Sequence, residues 1–183
     1  DAQESRGLGD VYKRQLLDPL RGAVKPERAI LDGELVAIDK RSGKPMPFQE
    51  VLKRRRKYDI EEVARQIPVE IHFFDVLLSG DRTMIWEPYT KRREELERIV
   101  EPGERIKVVK QKVLSDLEEI RKFRSEAVAM GHEGLLAKEL GSVYRAGKRE
   151  FTWLKLKPMI ETLDLAVVGA YAGRGKRAGT FGS

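Results

Sequence analysis

The sequence predicts an α+β domain of antiparallel sheets with flanking helices. Strand-like and helix-like stretches mix along the chain without a regular β-α-β rhythm, which argues against a doubly wound parallel sheet. Apolar stretches at residues 29–39, 69–78, 106–113 and 153–157 have the length and composition of strands. Two longer stretches, 90–100 and 115–131, space their apolar residues as helices do. No internal repeat or low-complexity tract interrupts the pattern.

In chain order, residues 1–15 are polar, carry Gly7 and Gly9, and show no sustained period, so they are set aside as a leader or junction. Residues 16–28 read as a loop or short helix closed by Pro26, and 29–39 as a strand ended by the turn residues Arg41-Ser42-Gly43-Lys44-Pro45. A short helix is predicted over 47–57, with Pro47 in its first turn and Phe48, Val51 and Leu52 at core spacing. Its basic run, 53–57, reads as a solvated face rather than a phosphate contact. The strand over 69–78 is almost continuously apolar, which implies burial on both faces, and Ser79-Gly80-Asp81-Arg82 turns the chain after it.

Thr90 is the predicted cap of the next helix. Opposite charges from Arg92 to Glu97 fall there at helical spacing, Leu96, Ile99 and Val100 form a narrow apolar stripe, and Pro102-Gly103 stops it. A strand follows over 106–113, and Ser115-Asp116-Leu117-Glu118 opens a second helix as a capping box. Short strands are then expected at Glu133 and Phe151, and a further strand over 162–171. Residues 172–183 are glycine-rich and basic, with no closing element.

The 183 residues suit one domain, or one with part of another, and are long enough for a sizeable core. Charged residues make up 36%, the formal net charge is +6, and the sequence pI is near 9.5, a balance that favours a polyanionic partner. The absence of cysteine excludes a disulfide framework or thiolate metal site and suits a reducing cytoplasm. No apolar run approaches the roughly 20 residues needed to span a bilayer.

The most informative stretch holds two polar motifs set in apolar strands. Gly131-His132-Glu133-Gly134-Leu135-Leu136-Ala137-Lys138 brackets an apolar run with a carboxylate and a lysine. Trp153-Leu154-Lys155-Leu156-Lys157-Pro158 alternates strictly, so a strand sends Trp153, Lys155 and Lys157 to one face and the leucines to the other. Two neighbouring ammonium groups repel unless an anion lies between them, and a polyphosphate fits best; the plainer reading is a solvated strand edge. Upstream, Asp32-Gly33-Glu34 and Phe74-Asp75 are embedded in the strands over 29–39 and 69–78.

In order and in connecting text (Pro47-Phe48-Gln49, the arginine-rich run after it, and Tyr144-Arg145-Ala146-Gly147-Lys148-Arg149), these four motifs resemble motifs III, IIIa, IV and V of the ATP-dependent DNA ligases, archaeal and eukaryotic type, within the covalent nucleotidyltransferase superfamily. The resemblance runs from Leu16 onward. It implies an ATP-grasp-like adenylation domain, here over 16–161, whose two sheets hold the nucleotide between them. It also implies the start of an OB-fold over 162–183.

Enzymes of that family seal a nick between a 5′-phosphate and a 3′-hydroxyl in three transfers, through lysyl-AMP and DNA-adenylate. The resemblance assigns Lys155 and Lys157 to the α-phosphate as catalytic residues, Glu133 to the metal, Glu34 to the ribose and metal, and Phe74 to the adenine face. Hard oxygen ligands beside phosphate imply ATP with Mg²⁺, Mn²⁺ being a substitute. Nicked duplex DNA is the implied partner. A sliding clamp reached through other regions, a monomeric state and a cytoplasmic, nucleoid-associated location go with it. Arg145, Lys148 and Arg149 form a basic loop read equally as a contact to the DNA backbone or as solvated. Lys138 is read as reaching solvent rather than phosphate, His72 and His132 as structural, and Asp75 as orienting its strand end.

One departure stands out. The family's nucleophile lies in a Lys-x-Asp-Gly tetrapeptide, which is absent from the 183 residues; Lys13 lacks the Asp-Gly. Without that amine no lysyl-AMP forms, so the expectation is an internal fragment of a ligase, inactive alone. Alternative readings are an RNA ligase or capping-type nucleotidyltransferase, and a non-catalytic nucleic-acid-binding module.

Overall fold

A computed structural model describes residues 16–47, 50–51, 67–147, 151–157, 166, 168–175 and 178–182. The 1–15 leader, most of the 47–57 helix with its basic run, Lys148, Arg149 and residues 162–165 and 167 of the predicted 162–171 strand lie outside the described residues; among the described residues of that strand only Tyr171 is extended in a sheet.

The frame is a four-stranded sheet centred on β2 (Val69–Ser79), in which no residue is exposed, as its apolar run requires. Strand β1 (Ala29–Ala37) pairs with it antiparallel along its whole length, with register shifts between Ile30 and Leu31 and between Asp32 and Gly33. The other edge is shared. A tight turn at Gly80, with φ of +59°, returns β3 (Arg82–Thr83) antiparallel to Leu78 and Ser79, while β4 (Ile106–Val108) lies parallel to Ile71–Phe73. The sheet is therefore antiparallel with one parallel edge strand.

Helix α1 (Leu17–Ala23) precedes β1, and α2 (Tyr89–Ile99) packs on β2. Between them lies the larger apolar core, which includes Phe73, Val76, Leu96, Ile99 and Ile106. A second cluster joins Leu16, Ala37, Val51 and Val69. Asp39 closes the 41–45 turn by accepting from the Arg41 and Ser42 N–H groups at 3.0 and 2.7 Å. These bonds hold its carboxyl below the usual carboxylate range.

Four local expectations are corrected. The N-cap of helix α2 is Pro88 rather than Thr90, which lies inside the first turn and whose N–H donates to the Leu140 carbonyl at 3.2 Å. Helix α3 (Leu117–Ala129) is capped by Asp116, which accepts from the Glu119 N–H at 2.9 Å, one residue beyond the predicted box. The 106–113 strand ends at Val108, and the alternating residues after it run along an open cleft instead of a partner edge. Tyr171–Ala172 (β7) pairs with Phe181–Gly182 (β8), so the glycine-rich tail carries a small hairpin.

The remaining unit is a two-stranded antiparallel ribbon, β5 (Leu135–Lys138) with β6 (Trp153–Leu156). Lys138 opposes Trp153, and Leu136 opposes Lys155. Cross-strand partners share a face, so Trp153 and Lys155 lie together, as the alternation predicted, and Lys138 joins them from the facing strand.

Candidate active site

The ribbon and the main sheet face each other across a cleft of about 1270 Å³. Glu34 of β1, Phe74 of β2, Glu133, and Lys155 and Lys157 of the ribbon all line it, although they span more than a hundred positions of sequence. Arg145 lines it as well, on the loop joining β5 to β6. Lys157 donates to the Glu133 carboxylate at 3.1 Å, and both side chains are largely exposed. Glu34 stands opposite His72 in the β1–β2 register, and His72 meets Glu70 at 2.9 Å. Burial, and then the neighbouring His72, hold the His132 imidazole below its ordinary range.

Two glycines let these carboxylates occupy their places. A Cβ on Gly33 would meet the Phe73 ring at 2.8 Å and the His72 carbonyl at 2.9 Å, so only glycine lets β1 lie this close to β2 beside Glu34. Gly134 has φ of +132°, and a Cβ there would lie 2.3 Å from the Leu156 carbonyl oxygen. Backbone meets backbone where Glu133 enters the ribbon.

Beneath the cleft is a charged node. Asp75 and Arg92 have no exposed side-chain surface, and Lys138 is 5% exposed. Arg92 donates from Nε to Asp75 Oδ1 at 2.7 Å and from Nη2 to Oδ2 at 3.2 Å. Its Nη1 serves the carbonyls of Glu87 and Ser142, at 2.7 and 2.8 Å. Lys138 Nζ donates to Asp75 Oδ2 at 3.1 Å and to the Phe74 carbonyl at 3.3 Å. The same ammonium lies 3.7, 4.6 and 4.8 Å from the ring centroids of Trp153, Tyr89 and Phe74. Alongside, the Tyr144 hydroxyl donates to Asp32 at 2.7 Å.

The reading of Lys138 as a solvent-seeking lysine is thus overturned: the three rings and Asp75 enclose it. Asp75 does orient by hydrogen bonding, but at the centre of a buried network. Arg92 and Arg93, expected among the surface charges of a helix, are both buried. Neither Lys138 nor Arg92 carried a local signal in the sequence: the pairing of Lys138 with Trp153 emerges only in the ribbon's register.

Burial holds the Lys138 amine at about 8, against an ordinary 10.5, with Asp75 opposing the shift. The unfolded chain therefore binds that proton more tightly than the folded one between these values, and this group makes stability rise with pH across the window. Burial also raises the Tyr89 and Tyr144 hydroxyls, the latter to about 12 with help from Asp32. Their contribution has the opposite sign and is lost as pH climbs beyond 10. Urea unfolding between pH 8 and 10 should show a positive slope that Lys138→Met abolishes; an identical slope in the variant would refute the assignment.

The ATP dependent DNA ligase domain family matches residues 4–157. The DNA ligase of Thermococcus onnurineus is 47% identical over 182 residues, 98% of this chain. This chain belongs to the ATP-dependent DNA ligases. DNA ligase 2 of Methanosarcina acetivorans is 49% identical over 173 residues, 92% of the chain. The chain spans about a third of the length of these relatives, 32% and 30% respectively. Both are archaeal, as the resemblance implied. The family match starts ahead of Leu16 and so includes part of the stretch set aside as a leader.

Among solved structures, a mycobacterial DNA ligase D complexed with ATP and MES aligns with a TM-score of 0.57 and 25% identity. The alignment covers 81% of this chain and 43% of that one. A Lig E DNA ligase, studied for DNA binding with a minimal scaffold, shares the fold at a TM-score of 0.60 and 23% identity, over 83% of this chain and 55% of that one. The α+β ligase fold is therefore established for this chain, with its antiparallel sheets and few helices.

A divalent metal fits the donor set at the cleft. Among the described residues no group of three histidines or carboxylates stands ready to hold an ion. Glu34 and Glu133 nevertheless supply two exposed carboxylates at the same cleft. One or two carboxylates completed by water and substrate phosphate is how Mg²⁺ is commonly held at phosphate-transfer sites.

Proposed function

We propose that this chain is the nucleotide- and phosphate-handling part of an ATP-dependent ligase that joins 5′-phosphate and 3′-hydroxyl ends at nicks in duplex DNA. The observation that carries the reading is the meeting of Glu34, Phe74, Glu133, Lys155 and Lys157 at one cleft. In it, Lys155 and Lys157 bind the α-phosphate of ATP, and Phe74 offers a half-buried ring to the adenine. Glu34 and Glu133 hold Mg²⁺, or Mn²⁺ in its place, which when bound neutralises phosphate charge. Lys157 is already paired with Glu133, so phosphate and metal would exchange partners with an existing ion pair rather than enter bare charges.

Arg145 lies on the same cleft, and we assign it with Lys148 and Arg149 to the DNA backbone. The formal charge of +6 supports a polyanionic partner. The relatives named above are DNA ligases, which supports DNA over the RNA-ligase, capping and non-catalytic alternatives. An OB-fold beginning within 162–183, a sliding-clamp partner, action as a monomer and a cytoplasmic, nucleoid-associated setting complete the proposal. Among the described residues no helix is long and apolar enough to cross a membrane.

The sequence holds no Lys-x-Asp-Gly, so we propose that the 183-residue chain binds ATP without forming lysyl-AMP. Calorimetry with ATP and Mg²⁺ checks this, beside a labelled-ATP gel for covalent product. Lys155→Ala should weaken binding about tenfold to a hundredfold, the worth of one or two charge-assisted hydrogen bonds. Unchanged affinity in that variant, or a covalent adenylate on the wild-type chain, would overturn the reading.

A further inference from the structure

The ribbon carries half of the candidate site, yet among the described residues neither apolar core contains a residue of β5 or β6. What joins it to the main sheet is polar and aromatic. Lys138 reaches Asp75 and the Phe74 carbonyl on β2. Arg92, on α2, ties Asp75 to the Ser142 carbonyl on the loop between the ribbon strands. Tyr144 of that loop donates to Asp32 on β1, and the Tyr144 N–H donates to the Ile85 carbonyl at 2.9 Å. Trp153 packs edge-on against Phe74 and Tyr144, with centroids 6.3 and 5.7 Å apart.

We propose that Lys138, Asp75 and Arg92 form a latch that fixes the ribbon against the main sheet, making Lys138 a positioning residue. Its task is to set Glu133, Lys155 and Lys157 at the working separation from Glu34 and Phe74. The role in nucleotide binding rests on the function proposed above; the latch itself does not.

Directional bonds suit this task better than an apolar contact. An apolar face tolerates sliding, whereas Asp75 accepts from Arg92 and Lys138 along fixed directions and anchors β2, α2 and β5 at one carboxylate. Phe74 and Asp75 are adjacent on β2, and Lys138 touches both. The ring assigned to adenine and the ribbon assigned to phosphate are therefore set by the same ammonium. Arg92 alone neutralises Asp75, so removing the Lys138 amine leaves no bare buried charge in the main sheet. Loosening should then stay local.

Lys138→Met, which keeps the stem and removes the amine, separates these effects at pH 7 on the 183-residue chain. Hydrogen exchange should accelerate at least about tenfold at the β5 and β6 amides while β1 and β2 are unchanged. Lys138→Gln, which retains an N–H for Asp75, should fall between wild type and Met. Affinity for ATP with Mg²⁺ should drop about tenfold or more in the Met variant, with the Lys155 and Lys157 side chains intact. Equal acceleration throughout the sheet, or none in the ribbon, refutes the latch. A loosened ribbon with unchanged ATP affinity refutes the positioning role. If the wild-type chain does not bind ATP but the ribbon alone loosens, the nucleotide reading falls and the latch stands.

Discussion

Arg92→Met should lower the unfolding free energy by about 3–5 kcal/mol, the usual result of removing one side of a buried ion pair. For a chain of this size that is a fall in melting temperature of roughly 10 °C or more. Three losses combine. Asp75 loses both guanidinium bonds and keeps those from the Lys138 ammonium and the Val76 N–H, and the Glu87 and Ser142 carbonyls lose their donor. Methionine fills the volume, so the deficit is one of unmet charge and hydrogen bonding rather than of a cavity. Lys91→Met on the same helix is the control: its pair with Glu94 is exposed, at 56% and 66%, and such pairs are worth about 0–1 kcal/mol. If the two variants melt together, Arg92 is not the anchor of the node.

The second large effect belongs to Gly134. An alanine there must hold φ of +132° and place its Cβ 2.3 Å from the Leu156 carbonyl oxygen, so β5 and β6 cannot keep their spacing. The strained backbone alone contributes about 1–3 kcal/mol, and the clash adds to it. Since Glu133 and Lys157 flank this contact, ATP binding to Gly134→Ala should weaken by about tenfold at the least, and by more if the ribbon opens. Gly131→Ala separates the two causes. Gly131 also has positive φ, +95°, but its Cβ would come no closer than 3.4 Å to Pro45 and 3.7 Å to Lys44. A binding loss confined to Gly134→Ala isolates the close approach; equal losses would assign the effect to backbone strain and remove the argument from packing.

Much of the site was legible because each of its groups sits in a local context that fixes its setting. A carboxylate beside a glycine within or at the start of an apolar strand, as at Asp32-Gly33-Glu34 and Glu133-Gly134, marks a close strand approach. Strict alternation puts Lys155 on the face of Trp153 whatever the neighbouring sheet. The misreadings share a different cause. Arg92 lies in Lys91-Arg92-Arg93-Glu94-Glu95, where opposite charges at helical spacing suggest a solvated face. Lys138 ends a short strand, where a long aliphatic stem ordinarily carries its charge to water. In both cases the deciding partner lies elsewhere: Asp75 is 17 positions from Arg92 and 63 from Lys138. The 106–113 strand failed for a related reason, since alternation says that a segment can pair but not that an edge awaits it.

The sequence by itself determined the main strands and helices, the order of the four motifs and, through them, the family, because alternation, helical spacing and glycine placement act over a few neighbouring residues. Only the tertiary structure decided which charges are buried and what they hold. The free energy of a charge depends on the dielectric and on the partners around it, and here those come from β2, α2, β5 and β6 together. The lysine read as a surface group became the contact between the two halves of the cleft once Asp75 and three aromatic rings closed around it.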